Sequence, residues 1–314
     1  NQRKEAPVMK LDSTPTFIDE VDTNLDYDNY FLSMDLTAFD VDDLLEDDLL
    51  RSQFFTAKNL MEKFRLGELK TSDVFDIELL AKWTAITDVM GAWHGYSFNN
   101  MRFYFNPFTS KFEPVPDDDY NEWSLNYVDE TRLFRLNDQY NNSFFLDNLF
   151  SDYDFVEEYM KQLVRVSDNK YLDDLFIEFN DEINELSNIL AIDYPLYNFL
   201  LDSKQYTYEN AASLRKKLNV NKGIQAHLMS IKYGESIEIS IANNHSIPME
   251  VLYLSDRNSE TYKPWGMDKL IIPARGFMEP VEHNYYRFKN PTQSDKLTED
   301  LSKFSVTYRV IGTE

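Results

Sequence analysis

The sequence predicts an α+β protein, with a mostly helical region followed by a small β-rich region. Apolar residues recur at helical spacing over much of residues 52–220, and an alternating pattern over residues 101–115 predicts a β-hairpin within that region. From about Gly223 onward the apolar spacing changes to period two, which is typical of half-buried strands. We therefore expect one unit over residues 1–222 and a sandwich-like β domain over residues 223–314.

The composition indicates a packed protein with a strongly acidic surface. Of its 314 residues 43% are hydrophobic and 15% aromatic, and the net charge is −24. Nucleic acids and anionic membranes would be repelled by this charge, so we expect neither as a partner, whereas a basic protein substrate is compatible with it. The chain has no cysteine, which excludes disulfides and thiolate metal sites, and no apolar run reaches the length of a membrane span.

Residues 11–50 form an acidic segment that contains no Lys, Arg or His. Such a charge block predicts a solvated loop or insertion, and the aromatic residues among the acidic ones indicate that it packs against something. A divalent-cation site at residues 41–48 (VDDLLEDD) is the alternative, but this stretch lacks the glycine and the ligand spacing of a calcium loop. We prefer the solvated insertion.

Two helices are predicted next. The first covers Ser52–Leu66, with Ser52 as its N-cap and Gly67 at its end, and the second is capped by Asp73 or Asp76. The second helix carries apolar residues at the spacing of one buried face. These residues are Leu79, Leu80, Trp83, Ile86, Met90 and Trp93.

A β-hairpin follows, with strands over residues 101–105 and 111–115 and a turn between them. Because a hairpin brings its two ends together, we expect Asn99 and Asp118 to lie within reach of one cation. The stretch over residues 121–150 is aromatic and irregular. It fits either a substrate platform or an ordinary surface loop with aromatic anchors.

A helical subdomain is predicted over about residues 147–220. Its helices are expected at Asp154–Val166, Tyr171–Leu190 and Tyr208–Leu218, with Pro195 separating the last two. We interpret their apolar stripes as core packing rather than as a groove for a partner. Strands of the β domain are expected at Ser236–Ile241, Met249–Leu254, Lys269–Ile272 and Ser305–Ile311.

The order of residues 94–118 is that of a phosphoryl-transfer centre. In protein kinases a catalytic base is followed five residues later by a metal-binding Asn, then by a short hairpin and a metal-binding Asp. Here His94, Asn99 and Asp118 occupy those places, with His94 where a kinase has Asp. A neutral imidazole accepts a hydroxyl proton but brings no negative charge. The alternative is that His94, beside Trp93, is a structural histidine.

Residues 64–115 (FRLGELK…GAWHGYSFNNMRFYFNPFTSKFEPV) resemble the spore-coat protein H-type (CotH-like) family, which has an atypical protein-kinase fold. Weaker similarity extends over most of the chain. The resemblance implies that Asn99 and Asp118 hold Mg²⁺ or Mn²⁺ with ATP, that His94 lies at the catalytic position, and that the acceptor is a Ser or Thr of a secreted or surface protein. It also implies a secreted or cell-surface location.

The resemblance further implies that this chain is a fragment without the small N-terminal lobe. The phosphate-gripping Lys, its Glu partner and a glycine-rich phosphate loop are not identifiable in the sequence. We therefore expect the full-length protein to be a kinase and this chain alone to bind nucleotide poorly. The alternative is an inactive, kinase-like adhesion or binding module. A third hypothesis, carbohydrate binding by the β domain, comes from Trp265 and the Tyr285–Tyr286 pair, whereas His227, His245 and His283 are assigned no role.

Overall fold

A computed structural model describes residues 5–12, 32, 34–39, 41–92, 95, 100–117, 143–195, 199–232, 236–256, 261–276, 279–289 and 304–313. The described residues form helices and antiparallel sheets, which confirms the predicted α+β class. Contacts within the chain divide it into two compact units, Asn1–Lys217 and Leu218–Glu314. The change of pattern in the sequence lies a few residues later, at Gly223.

The described helices all lie in, or begin in, the first unit. They are α1 (Val41–Glu46), α2 (Asp48–Arg65), α3 (Thr71–Val74), α4 (Ile77–Met90), α5 (Ser143–Phe150), α6 (Tyr153–Val166), α7 (Asn169–Glu178), α8 (Asn180–Asp193) and α9 (Phe199–Leu218).

The strands of the first unit form one antiparallel sheet in the order β2-β1-β3-β4. They are β1 (Val8–Asp12), β2 (Asp35–Ala38), β3 (Arg102–Asn106) and β4 (Lys111–Val115). Strands β3 and β4 are the predicted hairpin, displaced by one residue at its start. Strand β1 pairs with both β2 and β3, so the beginning of the chain is built into the same sheet as the hairpin.

The expectation of a solvated insertion over residues 11–50 is wrong for residues 35–38, whereas the acidic residues within 41–48 are exposed. Residues 35–38 form β2, where Leu36 and Ala38 are buried because they pair with Leu11 and Met9 of β1. Residues 41–46 form α1, whose first turn holds Asp42 and Asp43. Leu36 and Ala38 alternate with the polar residues Asp35 and Thr37, a pattern typical of a strand. The pattern was overlooked because acidic residues dominate the segment.

The predicted start of the helix at Ser52 is also wrong, because a better cap precedes it. Asp47 accepts hydrogen bonds from the backbone N–H groups of Leu49 (2.6 Å) and Leu50 (3.1 Å), so α2 begins at Asp48. At the other end Gly67 has a φ of 70°, as expected for the residue that ends a helix.

The helical subdomain differs from its prediction in three places. The helix expected over Tyr171–Leu190 is two helices, α7 and α8, which meet at Phe179. Helix α9 begins at Phe199, nine residues before the predicted start. Helix α5 lies within the stretch expected to be irregular, and four of its apolar side chains are buried. These are Phe145, Leu146, Leu149 and Phe150.

An aromatic cluster joins the hairpin to the helices in the core of the first unit. Phe75, which precedes α4, contacts Phe64 of α2 with ring centroids 5.1 Å apart and Phe103 of β3 with centroids 5.3 Å apart. Phe112 of β4 also contacts Phe75, and Phe145 of α5 contacts Phe64. Edge-to-face pairs of this kind add specific stabilisation to the burial of the rings.

The second unit is built from strands of one hydrogen-bonded path, β11-β7-β8-β10-β6-β5, with β9 paired to β7. They are β5 (Ile224–Lys232), β6 (Ser236–Asn243), β7 (Met249–Ser255), β8 (Thr261–Pro264), β9 (Leu270–Ile272), β10 (Asn284–Lys289) and β11 (Ser305–Val310). Side chains of β6 and β10 meet those of β7, β8 and β9 in one apolar cluster. This arrangement is sandwich-like, although β8 hydrogen-bonds to both halves. The sequence analysis missed β5, β8 and β10.

Candidate functional site

Helix α4 precedes the predicted catalytic loop in the sequence, and its first turn is attached to strand β4 of the hairpin. At its start the Asp76 carboxylate caps the N–H of Leu79 (3.1 Å), and the Asp76 N–H donates to the carbonyl of Phe112 in β4 (2.8 Å). At its end Gly91 has a φ of 68°, a left-handed conformation that favours glycine. Helix α4 therefore ends at Gly91, shortly before the predicted catalytic loop in the sequence.

The buried face of α4 agrees with the prediction only in part. Leu80 and Trp83 are buried as predicted, whereas Leu79 and Met90 are 38% and 50% exposed. The helix is enclosed on several sides, so residues outside the predicted stripe are buried as well, namely Ala81, Ala85 and Val89. Trp93 lies outside the described residues.

The last turn of α4 is held by two other helices. Tyr159 of α6, which is fully buried, donates a hydrogen bond from its hydroxyl to the Asp88 carboxylate (2.7 Å). Asn210 of α9 donates to the carbonyl of Val89 (2.9 Å). A carboxylate in the last turn of a helix is disfavoured by the helix dipole, so Asp88 requires such a partner. That unfavourable position was a signal in the sequence, and the sequence analysis assigned Asp88 no role.

The β3–β4 hairpin is closed at the end from which the site segments leave. The register pairs Arg102 with Val115, and Nη2 of Arg102 lies 3.4 Å from Oδ2 of Asp117. Asn100 and Asp117, the described residues just outside the two strands, therefore leave the hairpin at the same end. At the opposite end Asn106 donates to the largely buried Glu113 carboxylate (2.6 Å).

The three predicted site residues His94, Asn99 and Asp118 lie outside the described residues. Their described neighbours are Gly95, Asn100 and Asp117. That Asn99 and Asp118 share one cation thus stays a prediction, as does the role of His94. Among the described residues no group of three or more His, Cys, Asp or Glu side chains could hold a metal ion.

A second candidate site lies between helices of the first unit. An apolar cavity of about 470 Å³ is lined by α4, α7 and α8, with Met90, Leu175 and Leu186 among its residues. The sequence analysis interpreted the stripe on residues 171–190 as core packing, and this is wrong for α8. No residue of α8 is buried, and Leu186, Ile189 and Leu190 are 50%, 55% and 45% exposed.

The second unit exposes two of the three aromatic residues named for carbohydrate binding. Trp265 and Tyr285 are 48% and 63% exposed, while Tyr286 packs against the apolar cluster. The ammonium group of Lys289 lies 5.8 Å from the centre of the Trp265 ring. Exposed aromatic faces are able to stack on sugar rings, so Trp265 and Tyr285 remain candidates for carbohydrate binding. Tyr286 is not a candidate, because it packs against the apolar cluster.

Two histidines of the second unit lie side by side. The rings of His227 and His283 have centroids 5.2 Å apart, and Nδ1 of His283 lies 3.0 Å from the Ser240 hydroxyl. Zinc sites in proteins use at least three side-chain ligands, and the described residues add no third one here. Among the residues that the structure describes, the pair is therefore too few ligands for a zinc site.

Comparison with known proteins found no matching family model, no matching curated protein and no matching solved structure. Among the described helices none is long and apolar enough to cross a membrane.

Proposed function

We propose that the full-length protein is a CotH-like atypical kinase that transfers the γ-phosphoryl group of ATP to Ser or Thr of a secreted or surface protein. The observation that supports the proposal best is the closed hairpin. Arg102 pairs with Val115 in register and with Asp117 through an ion pair, so the segments that carry Asn99 and Asp118 are tethered at one end of the same hairpin.

The proposed residues have the donor chemistry that the reaction requires. An amide oxygen at Asn99 and a carboxylate at Asp118 are ligands of the kind that Mg²⁺ prefers, and Mn²⁺ accepts the same oxygen donors. When bound, the ion neutralises charge on the phosphates. His94 would accept the proton of the acceptor hydroxyl, and α4 would position the loop that carries it.

The test is metal-dependent ATP binding and autophosphorylation by the full-length protein. Asp118→Ala and Asn99→Ala are each expected to abolish both, because each removes an oxygen ligand. Asp119→Ala is the matched control, since it removes the same charge one residue later. If Asp118→Ala binds ATP as the wild type does, the site assignment is wrong.

The second candidate function is an inactive, kinase-like binding module at a cell surface. It is favoured by the exposure of Trp265 and Tyr285 and by His94 in place of the usual carboxylate. A surface polysaccharide would be the ligand. Retention on insoluble polysaccharide that is lost in Trp265→Ala, with no phosphoryl transfer by the wild type, would favour this candidate over the kinase.

A further inference from the structure

The apolar cavity beside α7 and α8 adjoins a second cavity of different character. The second cavity has a volume of about 560 Å³, and Asp173, Glu178 and Asp181 lie in its wall. Phe176 lines both cavities. An apolar pocket and an acidic pocket thus lie next to each other, separated by one aromatic ring.

The apolar side of this surface continues along α8. Leu186 lines the first cavity, and Ile189 and Leu190 on the same helix are about half exposed. Ile177 at the end of α7 is 74% exposed and lines the second cavity. Exposed apolar side chains grouped beside an apolar cavity are typical of an interaction site.

The charges around the surface select among possible occupants. Helices α7 and α8 together carry seven Asp and Glu and one Lys, and that Lys170 already pairs with Asp174 at 2.5 Å. Residues 1–217 as a whole contain 43 acidic and 20 basic residues. A second copy of the chain and an anionic membrane would both be repelled, whereas a cationic partner would be attracted.

The chain itself places a cation at the junction of the two cavities. The Lys204 ammonium group lies 4.9 Å from the centre of the Phe176 ring. Beside it the Tyr208 hydroxyl donates to Asp173 at 2.5 Å. Burial, together with this hydrogen bond and the charge of Asp173, raises the pKa of Tyr208 to about 12. Tyr208 therefore remains a donor at neutral pH and keeps Asp173 in the cavity wall.

We propose that this surface docks a basic amphipathic helix of a partner protein. Apolar side chains of the partner enter the cavity between α4, α7 and α8, and its Lys or Arg side chains enter the acidic cavity beyond Phe176. Binding of an amphipathic helix in an apolar groove is an established mode of peptide recognition. Docking of this helix does not depend on phosphoryl transfer. The docking proposal and the kinase proposal are therefore tested independently.

The binding test uses two designed peptides with the same apolar residues. Both are helices with Leu at positions i, i+3, i+4 and i+7, and one carries Lys on its flanks where the other carries Glu. Fluorescence anisotropy with the full chain should show that the Lys peptide binds at least about tenfold more tightly than the Glu peptide, with an affinity that falls as salt is raised. Absence of binding by the Lys peptide, or equal binding of both peptides, would overturn the proposal.

Two pairs of variants locate the site. Leu186→Asp should weaken binding of the Lys peptide by at least about tenfold, whereas Ile192→Asp should not, because Ile192 lies on the same helix, is 79% exposed and lines neither cavity. Asp181→Asn should weaken binding of the Lys peptide but not binding of the Glu peptide. Asp193→Asn is the control for this variant. Circular dichroism verifies that each variant is folded, and Leu186→Ser gives the same test without an added charge.

Two outcomes contradict the assignment of site and occupant. If Leu186→Asp and Ile192→Asp have the same effect, the peptide binds elsewhere. If sedimentation shows a dimer of the wild type that Leu186→Asp converts to monomer, the surface is occupied by a second copy and the proposal is wrong.

Discussion

Arg102 and Asp117 form an ion pair across the end of the β3–β4 hairpin, with Nη2 and Oδ2 3.4 Å apart. The pair joins the first residue of β3 to the segment that follows β4. Because Asn99 and Asp118 lie just beyond these two points in the sequence, the pair limits how far the two segments are able to separate. The proposed phosphoryl-transfer site depends on this closure of the hairpin.

Asp117→Asn should show whether the ion pair positions the segment that carries Asp118 or mainly stabilises the fold. Asp117 is half exposed, so loss of the ion pair should change the free energy of unfolding by less than about 1 kcal/mol. Affinity for ATP with Mg²⁺ should fall, because the segment that carries Asp118 loses its tether. Urea unfolding and nucleotide titration of the full-length protein measure the two effects. Unchanged nucleotide affinity would contradict the positioning role.

Tyr159→Phe should destabilise the end of α4. The hydroxyl of Tyr159 is removed from a buried hydrogen bond to Asp88, so we expect a loss of about 1–2 kcal/mol in the free energy of unfolding. Tyr194→Phe is the control, since Tyr194 is 62% exposed in the same unit, and should have no measurable effect. Equal urea midpoints for the two variants would show that the bond to Asp88 contributes nothing.

Arg65→Met should be strongly destabilising, because Arg65 is a buried cation with specific acceptors. Its Nη1 and Nη2 donate to the carbonyls of Met34 (2.7 Å) and Leu32 (2.5 Å), and desolvation lowers its pKa while Glu62 and Asp35 raise it. Loss of these bonds leaves acceptors without their donor, at a cost of about 2–4 kcal/mol.

The control for Arg65→Met is Arg51→Met on the same helix. Arg51 forms an exposed ion pair with Asp48, which should contribute less than about 1 kcal/mol. Urea unfolding compares the two variants. A similar loss in both would contradict the role given to the buried guanidinium.

His245 should make the second unit sensitive to acid. Burial lowers its pKa, and its Nδ1 is buried without a hydrogen-bond partner among the described residues. In the unfolded chain His245 takes up a proton near pH 6.5, whereas in the folded chain it does so only at a lower pH. The stability that neutral His245 contributes is therefore fully present above about pH 6.5 and is lost as the pH falls through the lower pKa of the folded state.

Thermal unfolding between pH 7.5 and 5 tests the role of His245. The wild type should lose stability over this range, and His245→Gln should lose less. An identical pH dependence of the wild type and His245→Gln would exclude the role of His245.

Much of the fold could be predicted from local patterns, and the failures have physical causes. The hairpin, helix α6 and strands β6 and β7 lie where the spacing of their apolar residues predicts them. Helix α4 was placed correctly but its buried face only in part, since a helix enclosed on several sides has no single stripe. Helix α8 has an apolar stripe whose described residues are exposed, and periodicity cannot distinguish a core from an interaction surface.

The candidate site could be predicted only as an order of residues along the chain. The sequence places His94, Asn99 and Asp118 around a hairpin, and the structure provides the closed hairpin between them. The importance of Asp88 was missed because its partner Tyr159 is 71 residues away in the sequence. The position of Asp88 in the last turn of a helix indicates that it needs a partner, but the sequence does not show which residue that partner is.

The most direct test of the central claim is transfer of ³²P from [γ-³²P]ATP to protein by the full-length protein in the presence of Mg²⁺ or Mn²⁺. We predict transfer to Ser or Thr by the wild type and by Asp119→Ala, and none by Asp118→Ala or without the metal ion. Transfer by Asp118→Ala at the wild-type rate, or no transfer by the wild type, would contradict the central claim.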